Sequence, residues 1–177
     1  MDKRKMKIAA LGFISVLFVG SCLLGSVHQA TAETLTFKTF THVTKADMVP
    51  VGDVDGHVLS LTVREGVILF QNGESTWMKA MEISDLTKGA GPSNGYITVT
   101  FLDGSTFTAG GKSTWEATPQ GTMSGAKITR DIIHGTGRFQ GIKGTYTASS
   151  KMLPPEKGET MAKGMSEGTI VYTLPSK

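Results

Sequence analysis

From Glu33 onward the chain is a succession of short runs in which apolar or β-branched residues alternate with polar ones, separated by Gly, Asn and Asp. A period of two marks a half-buried β-strand, and no stretch carries the pattern of a clear helix. The runs are Thr34 to Thr44, His57 to Val63 continued by Val67 to Phe70, Thr76 to Leu86, Tyr96 to Leu102, Ser105 to Ala117, Ala126 to Ile133, Arg138 to Ser149 and Gly168 to Leu174. Leu35 and Phe37 alternate in the first, with Phe40 joining them after a slip. Leu59, Leu61 and Val63 share a face, as do Ile97, Val99 and Phe101. Gly66 predicts a bulge or tight turn, and Asn72-Gly73 and Asp103-Gly104 predict type I′ hairpins. The polar segment Leu153 to Gly164, with Pro154-Pro155, reads as a long loop. About eight strands so joined predict an all-β fold: a mostly antiparallel closed β-barrel, lipocalin-like in outline, whose interior is filled or holds one small ligand.

The first 32 residues stand apart. Lys3, Arg4, Lys5 and Lys7 precede an apolar run from Ile8 to Val27, and Ala30-Thr31-Ala32 follows. That is the layout of a cleavable signal peptide, so residues 1–32 are expected to leave and residues 33–177 to form a single β-barrel domain in the periplasm or outside the cell. Two alternatives stay open: an uncut membrane anchor, and a lipobox reading of Val19-Gly20-Ser21-Cys22, in which Cys22 carries a lipid. Four of the eighteen basic residues and one of the fifteen acidic ones precede Glu33, leaving fourteen of each. The basic excess belongs to the leader, so no nucleic-acid partner is expected, nor any integral membrane association after cleavage. Cys22 is the sole cysteine, so the mature chain has no thiol for a disulfide, metal site or nucleophile.

Several motifs match by spelling and fail by context. Gly135-x-Gly137-x-x-x-Gly141 approximates a dinucleotide fingerprint, but Ile142 to Ala148 is a poor helix on which to seat a phosphate. Gly111-Lys112-Ser113 ends like a P-loop, yet Thr106 stands where its first glycine is required. Gly91-Pro92-Ser93-Asn94-Gly95 spells a nucleophile elbow without a following helix. Asp53-x-Asp55-Gly56 lacks the outer ligands of a calcium loop, Val51 and Thr62 standing there, and His42, His57 and His134 lack ligand spacing. No metal and no cofactor are expected.

The glycines Gly135, Gly137, Gly141 and Gly144 are better explained as sheet devices, the first two for a turn and the others for bends or close approach within a strand. In the run Gly135-Thr136-Gly137-Arg138-Phe139-Gln140-Gly141-Ile142-Lys143-Gly144-Thr145 the chain resembles the signature of the allene oxide cyclase and dirigent barrel superfamily. The resemblance extends over Glu33 to Pro175. It implies an eight-stranded antiparallel barrel, a homo-oligomer (often a trimer), and work done without a cofactor by holding a reactive apolar molecule in one shape. Any enzyme activity would be of a cyclase or isomerase type, and no catalytic side chain carries over.

Neither face of Thr76 to Leu86 is wholly apolar. Glu82 shares one with Thr76, Met78 and Ala80; Arg130 shares a face with Ala126, Ile128 and Ile132. An inward Glu82 facing an inward Arg130 would make a polar anchor in a dry barrel; a register slip would send them to solvent. Trp77, Trp115, Phe139 and Tyr146 are pocket or core candidates, and Met48, Met78, Met81, Met123, Met152, Met161 and Met165 suit an adaptable cavity or an ordinary core. His134 reads as an exposed loop residue. Two functions follow: a small hydrophobic ligand, lipid or phenolic, bound inside, or a solid barrel acting by its outer face as a secreted or surface interaction protein. Ala32→Arg should block processing, leaving the exported form at its full precursor mass in intact mass spectrometry; normal processing would overturn the cleavage assignment.

Overall fold

The computed structural model describes residues 31–154, 156–157 and 162–176; the expected signal peptide through residue 30, with Cys22, lies outside them. Eight strands run β1 (Glu33–Pro50), β2 (His57–Phe70), β3 (Ser75–Thr87), β4 (Gly91–Thr100), β5 (Thr106–Ala117), β6 (Met123–Gly135), β7 (Lys143–Leu153) and β8 (Lys163–Thr173). Each is antiparallel to the next, and β8 pairs back to β1, so the sheet is a closed barrel in sequence order. The expected all-β barrel is the observed architecture. We call the end carrying Glu33, Thr173 and the β2–β3, β4–β5 and β6–β7 turns the lower end.

The register corrects several details. β1 keeps strict alternation through Thr39, which is buried, so Phe40 points outward and the slip comes later, between Val43 and Lys45. β2 runs unbroken through Gly66, where neither bulge nor turn forms: a Cβ there would lie 2.0 Å from the Phe40 carbonyl oxygen, so the glycine permits close strand approach. With no bulge, the phase of Ile68 and Phe70 carries back along the strand. Ser60, Thr62 and Arg64 therefore face inward, and Leu59, Leu61 and Val63, which share a face as expected, face outward.

The hairpins also differ. Gly73 and Gly104 have positive φ, but Asn72 and Asp103 do not. The Gly73 and Gly104 amides bond back to the Phe70 and Phe101 carbonyls, while the Phe70 and Phe101 amides donate to Glu74 and Ser105. These are tight turns closed by a left-handed glycine, and the type I′ pair of positive φ values occurs instead at Lys88-Gly89. The side chains of Asn72 and Asp103 explain their presence by accepting from the amides two residues on.

The glycine-rich signature is the β6–β7 connection at the lower end, not the start of a strand at Arg138. Gly135 ends β6, Gly137 opens a single 3₁₀ turn (Gly137–Phe139), Gly141 lies in the following bend rather than in a strand, and Gly144 sits inside β7 against β8. This turn drives Phe139 into the barrel. Its ring meets Phe101 at 4.7 Å, Phe107 at 5.7 Å and Tyr172 at 6.1 Å, while Phe37 stacks on Tyr146 at 4.9 Å. Arg138 fastens the plug from outside: its guanidinium covers Phe101 and Phe139, pairs with Glu74, and lies 3.6 Å from Asp103. Three turns are thus tied together, and the lower half is filled.

Phe139→Ala should cost about 3–5 kcal/mol in denaturant unfolding, as expected for a buried aromatic, whereas Trp77→Ala, on the outer surface, should stay within about 1 kcal/mol. Equal effects would show that Phe139 is not the plug.

Candidate functional site

At the waist of the barrel four strands align Glu82 (β3), Gly95 (β4), Gly111 (β5) and Arg130 (β6) in one row. All four point inward, and the two glycines between leave the interior bare. A Cβ on Gly95 would stand 2.7 Å from the Glu82 Cγ, and one on Gly111 would stand 3.3 Å from the Arg130 Cγ. The glycines of the elbow-like and P-loop-like stretches therefore have a structural use: they clear the floor over which two long side chains meet. Arg130 Nη2 donates to Glu82 Oε1 at 2.5 Å, and Ser113 Oγ donates to the same oxygen at 2.9 Å. The residues are 4% and 3% exposed, so the pair is fully withdrawn from water. Tyr146, on the strand beyond Arg130, is buried, which pushes its phenol well above the usual range.

Above this row the interior opens. A hollow of about 880 Å³ is lined by Trp115, Met123 and Met152, by the hydroxyls of Ser60, Thr62 and Ser84, and by Arg64. It extends to the upper end past Met48 and Pro154, where β1 outruns its pairing with β8, the last partners being His42 and Lys163. Arg64 lies with its guanidinium 4.9 Å from the Trp115 ring. Burial lowers its pKa from the ordinary value, with Glu82 acting in the opposite sense. Near that end His57 bridges two carboxylates, Nε2 to Asp85 at 2.7 Å and Nδ1 to Asp53 at 2.6 Å, which raises its pKa.

The sequence candidates separate accordingly. Glu82 and Arg130 meet; Trp115 lines the hollow; Phe139 and Tyr146 belong to the packed lower core. Trp77 is a correction: it points out of the barrel, 63% exposed, because β3 alternates without interruption and its partner face holds Met78, Ala80 and Glu82. His134 is exposed at the end of β6. Of the methionines, Met48 and Met81 are exposed, Met78 is core, Met123 and Met152 line the hollow, and Met161 lies outside the described residues. Arg64 was missed, since reading Gly66 as a bulge hid its phase with Ile68 and Phe70. Among the described residues no group of three or more His, Cys, Asp or Glu side chains is placed to hold a metal.

No family model and no curated protein matches the chain. It is similar to the solved structure of the pterocarpan synthase dirigent protein GePTS1, at 14% identity over 82% of this chain and 94% of that one, with a TM-score of 0.49. It is also similar to that of the pterocarpan synthase dirigent protein PsPTS1, at 19% identity over 84% and 99%, with a TM-score of 0.46.

Glu82→Gln should destabilise the protein by about 3–5 kcal/mol, because Arg130 is left as an unpaired buried charge. Pairing Glu82→Met with Arg130→Met should recover most of that loss in a thermal-unfolding double-mutant cycle. Additive losses would mean that the two side chains do not act as a unit.

Proposed function

We propose that this chain is an exported barrel that holds a small hydrophobic molecule, a lipid or phenolic, in the upper half of its interior. The observation that carries the reading is the one-ended cup. The lower half is stopped by Phe139 and its aromatic neighbours, while the upper half keeps a hollow walled by Trp115, Met123 and Met152. A concave interior of apolar and polarizable side chains with a few directed polar groups is what small-molecule sites share. Export rests on the leader-like residues 1–32.

Any cyclisation or isomerisation of the ligand would be steered by the shape of the cup. Among the described residues Glu82 is the one buried carboxylate, and it is held by Arg130 and Ser113. The outer face favours a second reading. Leu61, Met81, Ile83, Tyr96 and Ile133 form an exposed apolar patch across β2 to β6, of the kind that marks an interaction surface or a contact between copies.

Native mass spectrometry of the exported protein, followed by organic extraction, should release a stoichiometric small apolar compound. An empty protein that also rejects fatty-acid and phenolic probes would overturn the binding reading and leave the outer patch as the working surface.

A further inference from the structure

The charges inside the barrel do not balance. Arg64, Arg130 and Glu82 all face inward, and Glu82 is held by Arg130 and Ser113. None of the residues lining the hollow is an aspartate or glutamate. Arg64 has one weak contact, from Nη1 to the Met152 sulfur at 4.0 Å, and its buried Nε has no hydrogen-bond partner. The buried Trp115 Nε1 beside it is likewise unpartnered.

We propose that Arg64 is the anchor for an acidic head group, and that the hollow takes a carboxylate-bearing amphiphile in preference to a neutral lipid or phenol. The proposal deepens the ligand-binding reading and rests on it. A largely buried guanidinium that has the Trp115 ring beside it but no carboxylate partner weakens the fold, so a methionine at this place would leave the barrel as stable or more so. Retaining the charge is accounted for when an anion completes it. The guanidinium lies 4.9 Å from the Trp115 ring centroid and lines the hollow, and its planar fork is suited to receive a carboxylate through two parallel hydrogen bonds. The Trp115 indole N–H adds a donor, and Ser60 and Ser84 stand on the same wall. The methionine side of the hollow accommodates the apolar remainder. A single uncompensated cation matches a monoanion; a phenol, neutral at ordinary pH, leaves the imbalance in place.

Binding of decanoate and of decan-1-ol to the exported protein, measured by calorimetry and by tryptophan fluorescence, decides the matter. Decanoate should bind about ten- to a hundredfold more tightly than the alcohol, the worth of a charged hydrogen-bonded contact. In Arg64→Met the difference should collapse to less than about threefold while the melting temperature holds or rises. Arg64→Lys, which keeps the charge and loses the fork, should retain the preference for the acid with weaker binding.

Equal affinity of the wild-type protein for acid and alcohol would overturn the anchor and leave the ligand-binding reading standing. Binding of neither would overturn both. An Arg64→Met variant that melts earlier yet still prefers the acid would make Arg64 a structural residue and end the proposal.

Discussion

A carboxylate and a guanidinium held 2.5 Å apart in the middle of the barrel set the terms for everything around them. Neither ion can be left alone in an interior this dry, so the strands between them must bring the two together. They do so by giving up side chains: Gly95 and Gly111 lie between Glu82 and Arg130 in the same row, and two long polar side chains bridge four strands over that gap. Ser113 satisfies a further lone pair. The row is the boundary between two different interiors.

Below it, packing is aromatic and continuous, and the signature turn acts as a stopper. Glycines at Gly135, Gly137 and Gly141 let the chain fold back sharply enough to thrust Phe139 inward, while Arg138 joins three turns across the opening. Above it, serine, threonine, tryptophan and methionine replace the phenylalanines, and space remains. The polar lining goes with an apolar exterior on β2 and β3, where Leu61, Met81 and Ile83 face solvent. The usual relation of inside to outside is thus partly reversed in that sector.

The reversal explains what the sequence did and did not disclose. Strand number, antiparallel order and the shared face of Ile97, Val99 and Phe101 follow from alternation and turn residues alone, whereas the inward facing of Arg130 was one of two open readings. The phase of β2 could not be settled by hydrophobicity, because Leu59 and Leu61 are the apolar residues and Ser60 and Thr62 the interior ones. It could be settled only by counting back from Ile68 and Phe70 without a break, which Gly66 discouraged. The turn dipeptides located the hairpins and misstated their geometry, since Asn72 and Asp103 act through side-chain acceptance rather than a left-handed backbone. The partnership of Glu82 with Arg130 was legible as a choice of faces; the glycine row that permits it depends on register across four strands, which no local pattern contains.

The seam between β1 and β8 has a kinetic meaning. Seven of the eight pairings join neighbours in the chain through short or moderate connections, whereas the eighth brings Glu33 to Tyr172 across 139 positions. Of the eight pairings, that one carries the largest loop-closure cost, because it joins the most distant stretches of the chain. Until it closes, the wall from Met48 on β1 to Met152 on β7 is incomplete, so the cup is a property of the finished barrel alone. A molecule that occupied it would therefore draw the folding equilibrium toward closure by mass action, serving as a last fastening between strands.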